Sequence, residues 1–311
     1  MSHGTTLEVA GKGLRENLIL GAGPGSFGYL WDKYRPAEVN NTPFWGLRFV
    51  AGSSYILSAL GEIGLPGWLL LVVFLGWLWY LGLKSLAGEE REAAEPVVFS
   101  VFLMASFTIL MWSLYSAGYV LVALGFVALG MLLAALRASG IFQVHDFSLV
   151  REGPPGFISA LVVVFFIISG ALGIYKTTLR YVGELAYAKG VEAAAAGDLD
   201  LAERKLLIAA QSESYNDLYF RTLSQIYMTK AQVLLQNRST PQELLGSSFK
   251  NFLDQAVSAA QNAIKVGSLD FLNYRALGQI YALLTQLNAS GSLEAAQAQY
   301  DEALKRAPSN P

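Results

Sequence analysis

Long stretches without charge constrain this sequence more than any other feature. Ile63 to Leu83 carries no charged side chain, reading IGLPGWLLLVVFLGWLWYLGL. Pro96 to Leu136 carries none, and neither does Gly153 to Tyr175. A helix of roughly 20 apolar residues crosses the hydrocarbon core of a bilayer. The first run is therefore one span, the second is right for two, and the third supplies a fourth. SLYSAGY, residues 113–119, is the expected hairpin inside the long run. Trp77, Trp79 and Tyr80 gather near the end of the first run, where amphipathic rings meet an interface. The expected spans are 63–83, 97–114, 118–136 and 155–175. A soluble core of 311 residues could not cover four such helices. No cleavable signal peptide is expected within these residues, because the first apolar run starts late.

Composition bears on what the chain can bind. Only 15% of residues are charged, against about 25% in ordinary soluble domains. The net charge of −2 offers no basic excess for nucleic acid. There is no cysteine, so disulfides and thiolate metal sites are excluded. The two histidines, His3 and His145, are far apart, which argues against a histidine zinc site. No metal and no cofactor is expected.

Four spans put both chain ends on the same side of the membrane. The longer connections between spans hold Lys84, Arg91, Arg137 and Arg151, and the opposite side holds Lys33, Arg35, Arg48, Lys176 and Arg180. Positive-inside counting leaves the orientation open.

After Arg180 the residues become helix-forming and mixed in charge. LYFRTLSQIY at 218–227 matches LNYRALGQIY at 272–281, pairing Arg221 with Arg275, Leu223 with Leu277, Gln225 with Gln279 and Tyr227 with Tyr281. An Ala-rich helical segment precedes each copy. The pattern, ending in YDEALKRAP at 300–308, resembles tetratricopeptide repeats. The interval is 54 residues, longer than the usual 34; a loop over Asn237–Ser248 is expected to account for the excess. Such a stack either packs only on itself or offers a groove to a protein partner.

LILGAGPGSFGYL, residues 18–30, looks like the opening of a dinucleotide-binding fold. The following residues argue against that reading. Pro36 and Pro43 forbid a long helix, and too few residues precede the first span for a doubly wound sheet. Gly21, Gly23, Pro24, Gly25 and Gly28 are instead expected to shape a turn-rich loop at the membrane surface. That loop carries Tyr29, Trp31, Lys33, Tyr34, Arg35, Asn40, Asn41, Trp45 and Arg48. Interleaved cations and aromatics suit a phosphate-bearing lipid or a sugar. The same residues also suit plain interfacial anchoring.

GAGPGSFGYLWDKYRP, NNTPFWGLRF and SYILSALGEIGLPGWLLL, in that order, resemble the large extracytoplasmic loop and following span of the O-antigen ligase and polymerase superfamily. The match covers residues 5 to about 83; the later spans and repeats agree in architecture only. The resemblance implies a metal-independent transferase moving a glycan from a polyprenyl diphosphate carrier to a lipid, glycan or protein acceptor. It implies a bacterial cytoplasmic membrane location, with the loop and repeats outside. Arg35 and Arg48, with Lys33, Tyr34 and Trp45 beside them, fall where the diphosphate or glycan is held. Glu62, Gly64 and Gly67 match a Glu-x-Gly-x-x-Gly ending, which makes Glu62 the candidate for a catalytic role. The histidine expected nine residues before this Glu is Ser53 here, with Ser54 in the neighbouring Asn place. Serine is no base near neutral pH without a partner, and His3 is a poor substitute. Family members usually have about ten or more spans, so this chain reads as part of a longer protein.

The expected fold is all-α: an extracytoplasmic loop with short helices (1–62), a polytopic helical membrane domain (63–176), and a tetratricopeptide-like repeat domain (181–311). The competing functional class is a non-catalytic, membrane-anchored repeat scaffold that recruits partners in cell-envelope assembly.

Overall fold

A computed structural model describes residues 1–87, 95–140, 154–236 and 242–310. Among the described residues there are eleven α-helices, one short 3-10 helix and no strand. The chain divides into two compact units, one built on residues 1–147 and the other on residues 148–308. Each is taken by itself.

The first unit starts with α1 (His3–Glu16), whose N-terminal amides are capped when Ser2 accepts a hydrogen bond from the Thr5 N–H. α2 (Phe27–Tyr34) ends just before Pro36, and a 3-10 turn covers Ala37–Asn41. Val9, Phe27, Leu30 and Trp31 bury together, with the Phe49 ring edge-on to Trp31 at 4.9 Å. Burial of each contributes about 1.5–3 kcal/mol, enough to order a small pre-membrane subdomain. Small residues let its helices touch: a Cβ on Gly61 would lie 3.0 Å from the Ala10 Cα.

The spans follow as α3 (Tyr55–Ala87), α4 (Glu95–Leu114) and α5 (Tyr119–Ala138). Leu75, Leu78, Leu81, Val98, Phe102, Trp112, Leu129 and Leu132 form their shared core. Gly82 makes room for Phe102 and Gly125 for Trp112; a Cβ at either position would come within 2.2 Å of the ring. Small residues at such crossings are how membrane helices pack closely. The other faces leave Leu70, Val73, Phe107 and Val120 exposed, as lipid-facing positions are. Helix α3 is two helices in one: Gly64 breaks it with φ 73° and ψ 175°. The second of them begins at Leu65 with Pro66 in its first turn, where the missing N–H costs nothing.

In the second unit α6 (Pro154–Ala195) runs 42 residues without a break, about 63 Å at 1.5 Å per residue. Its first half is the fourth span. Its second half places Ala186 and Ala193 in the cores of the repeats. Residues 176–181 are thus mid-helix, and the span and the first repeat helix form one rod. Among the described residues four helices are long and apolar enough to cross a membrane: α3, α4, α5 and α6. The chain is membrane-embedded.

Beyond α6 come α7 (Leu199–Ser212), α8 (Asp217–Gln236), α9 (Gln242–Val266), α10 (Phe271–Gln286) and α11 (Ser292–Arg306). They pack in pairs: α6 with α7, α8 with α9, and α10 with α11. The repeat-related residues Leu223, Ile226, Leu277 and Ile280 share one core with Ala202, Leu206, Ala256 and Ala260. The loop expected over 237–248 is not what lengthens the repeat. Residues 237–241 lie outside the described residues, and residues 242–248 are already helix. The excess is carried instead by long helices, 20 residues in α8 and 25 in α9.

Candidate functional site

The two motifs on either side of α2 meet each other. Leu18–Leu20 is turn rather than strand, and Gly21, Gly23 and Gly25 have φ of 65°, 102° and 73°. The turn lies against the break in α3. The Ala22 N–H donates to the Gly61 carbonyl and the Gly23 N–H to the Glu62 carbonyl, each at 2.9 Å. Returning the contact, the Leu65 N–H donates to the Leu18 carbonyl at 2.9 Å. The approach needs glycine on both sides: a Cβ on Gly21 would sit 2.6 Å from the Gly64 nitrogen, and one on Gly64 would sit 2.2 Å from the Ile19 oxygen. Gly28 differs from the others. It is helical, and a Cβ there would make only ordinary contact with Val50. Its expected role in shaping the loop is not required by the backbone.

The glycine turn does cradle a carboxyl group, and that group belongs to the chain. Backbone amides of Gly25 and Phe27 both bond the Glu62 carboxylate, the latter at 3.1 Å. Phe27 opens α2, so the carboxylate sits at a helix N-terminus, where the backbone dipoles favour negative charge. Glu62 therefore clamps the turn to the start of the span.

The loop cations are each engaged. Lys33 pairs with Glu16 of α1 at 2.5 Å. Its hydrogen bond, with a second from Tyr34, holds the Glu16 carboxyl below its ordinary range. Burial, and then Glu16, pushes the Tyr34 phenol up. Arg35 is only 6% exposed. Its guanidinium donates to the Trp45 carbonyl at 3.1 Å and to the Asn40 side chain, closing the loop from 35 to 45. Burial lowers its pKa, against the attraction of Asp32. Arg48 pairs with buried Asp32 at 2.6 Å and lies over the Tyr29 ring at 5.4 Å, while keeping 27% of its side chain in solvent. The structure thus gathers Tyr29, Asp32, Arg35 and Arg48 around α2, and turns Lys33 and Tyr34 toward α1. Trp45 contributes its carbonyl inward and leaves its ring exposed. Asp32 and Glu16 are the members that reading the loop for cations and aromatics missed. Asp32, three residues before Arg35 on a short helix, was the available signal.

Ser53 occupies the position of the expected histidine and is tied to α1. Its hydroxyl lies 2.9 Å from the Thr6 hydroxyl, and its N–H donates to that same oxygen at 2.9 Å. Ser54 caps α3 by accepting from the Leu57 N–H and donates to the Trp112 carbonyl at 3.1 Å. Both serines brace the fold. His3 lies in the first turn of α1, exposed, and His145 lies outside the described residues.

A second concave surface belongs to the repeats. A groove of about 380 Å³ is lined by Tyr187, Arg221, Gln225, Arg275 and Gln279, from α6, α8 and α10. The repeat-matched arginines have different partners. Arg221 bonds Asp270 and Asn273 at 3.2 and 2.7 Å and so joins two repeats. Arg275 lies exposed beside the Phe271 ring. No protein-family model and no curated protein matches this chain.

Proposed function

We propose that this chain forms the extracytoplasmic loop, membrane spans and repeat module of an O-antigen ligase-like glycan transferase. The donor is a glycan on polyprenyl diphosphate. One observation carries the reading: the GAGPGSF turn and the Glu-x-Gly-x-x-Gly ending interlock through Gly21, Gly64 and Glu62. Two motifs recognised separately in sequence thus make one device at the mouth of a span. On this reading Arg48, partly exposed and beside Tyr29, faces the diphosphate, while Arg35 shapes the loop. The loop and repeats lie outside the cytoplasmic membrane, and the repeats, which resemble tetratricopeptide pairs, hold a protein partner.

The test is glycan transfer in membranes carrying this protein, supplied with polyprenyl diphosphate-linked oligosaccharide. Arg48→Ala is expected to lower transfer about tenfold or more, the worth of one charge-assisted contact. Arg48→Lys recovers part of it, because a point charge replaces a fork. Unchanged transfer in Arg48→Ala removes the arginine assignment. A second reading, a membrane-anchored scaffold, is favoured by Ser53 bonded to Thr6 where a base is expected. Absence of transfer by the intact protein, with a partner co-purifying only when residues 181–311 are present, selects the scaffold.

A further inference from the structure

We propose that Leu18, Ile19 and Leu20 form a rigid wedge that inserts among lipid acyl chains beside the first span. The three side chains are 55%, 68% and 72% exposed. Three consecutive large aliphatics facing water on an ordered segment are unfavourable, and these are firmly held. Asn17 accepts from the Leu20 N–H through its side chain at 3.1 Å and from the Gly21 N–H through its carbonyl at 3.0 Å. The Leu18 carbonyl accepts from the Leu65 N–H, and the Ile19 carbonyl fills the space where Gly64 lacks a Cβ.

Those contacts set the depth. Leu65 follows the break in α3, at the start of the long uncharged run, so on this proposal the triplet is pinned to the level at which that run enters the membrane. On the span that follows, Leu69, Leu70 and Val73 are exposed as well. No charge occurs from Asn17 to Trp31, so no ionic side chain in the segment opposes entry into an apolar phase. A short aliphatic wedge next to a span, with the charged residues Asp32 and Arg48 farther along the chain, suits the boundary between headgroups and acyl chains. The wedge would hold the glycine turn and Glu62 at headgroup level. The inference rests on membrane embedding alone and stands whether or not the chain transfers glycans.

The sequence lacks cysteine, so a single introduced thiol can carry an environment-sensitive fluorophore. Ile19→Cys and Leu20→Cys would be labelled in the full chain, reconstituted in phosphatidylethanolamine–phosphatidylglycerol vesicles. Leu70→Cys serves as the lipid reference, and Lys305→Cys, exposed on α11, as the water reference. Labels at 19 and 20 are expected to emit to the blue of the label at 305. A nitroxide near the lipid headgroup should quench them more strongly than one at the chain end. Emission and quenching matching position 305 would overturn the proposal. So would blue emission without quenching by either lipid, because protein rather than lipid would then cover the wedge.

Discussion

Gly64→Ala should undock the glycine turn from the first span. At φ 73° and ψ 175° this residue occupies a backbone region essentially restricted to glycine. Holding alanine there costs about 1–3 kcal/mol. The new Cβ would also lie 2.2 Å from the Ile19 oxygen, 2.6 Å from the Ile19 carbonyl carbon and 2.9 Å from the Gly21 nitrogen. All are backbone atoms, so no side chain can rotate aside. Relief requires residues 18–23 to move off the helix, losing the bonds Leu65 to Leu18, Ala22 to Gly61 and Gly23 to Glu62. At about 0.5–1.5 kcal/mol net for each of three bonds, undocking forfeits roughly 1.5–4.5 kcal/mol in all. Amide hydrogen exchange in detergent micelles or nanodiscs reads this directly. Exchange at Ala22, Gly23 and Leu65 should accelerate by about a hundredfold or more, since each 1.4 kcal/mol is a factor of ten. Gly76→Ala in the same span is the control, because a Cβ there meets nothing within 4 Å. If Gly64→Ala and Gly76→Ala show the same protection at those amides, the interlock is not what holds the turn.

Removing the clamp from the other side gives a graded result. Glu62→Ala leaves the Gly25 and Phe27 amides without their acceptor and should destabilise the loop by about 1–3 kcal/mol; Glu62→Gln, which keeps one acceptor oxygen, should lose less, as read by thermal unfolding followed through Trp fluorescence. The contact between α1 and α2 should respond to acid. The Glu16 carboxyl is held below its ordinary value of 4.5 by Lys33 and Tyr34, so its contribution is complete above that value and disappears as pH falls through the lowered pKa. Amide protection along α1 should drop over that acid interval in the native chain and show no such step in Glu16→Gln. On the proposed function, Arg35→Ala should act through the loop's folding, with faster proteolysis between residues 35 and 45, whereas Arg48→Ala should lower transfer with the loop still protected.

How much was legible varied with how local the physics was. The spans could be read because a bilayer demands a continuous apolar run, and all four helices fall on such runs. The repeats could be read because Leu223 and Leu277, or Ile226 and Ile280, recur at one interval and bury in one core. The loop was only half legible. Its residue types announced a polar, aromatic surface, but type alone does not say that Arg35 is buried against the Trp45 carbonyl while Arg48 keeps an exposed edge. That outcome depends on where the chain turns after Pro36, which brings Asn40 and Trp45 back over the guanidinium.

By itself, the sequence determined solvent and class: which helices lie in lipid, where the composition changes, and that the glycine stretch opens no nucleotide-binding sheet. These follow from hydropathy and periodicity, which are properties of neighbouring residues. Only the tertiary structure decided what fills the glycine cradle. The Glu62 carboxylate lies 35 residues along the chain from Phe27, whose amide it bonds. It reaches that amide because Gly64 bends α3 and because Gly21 and Gly64, lacking Cβ atoms, let two backbones touch. A contact of that kind depends on a break in one helix and a turn in another segment at once, and no local pattern in either segment specifies both.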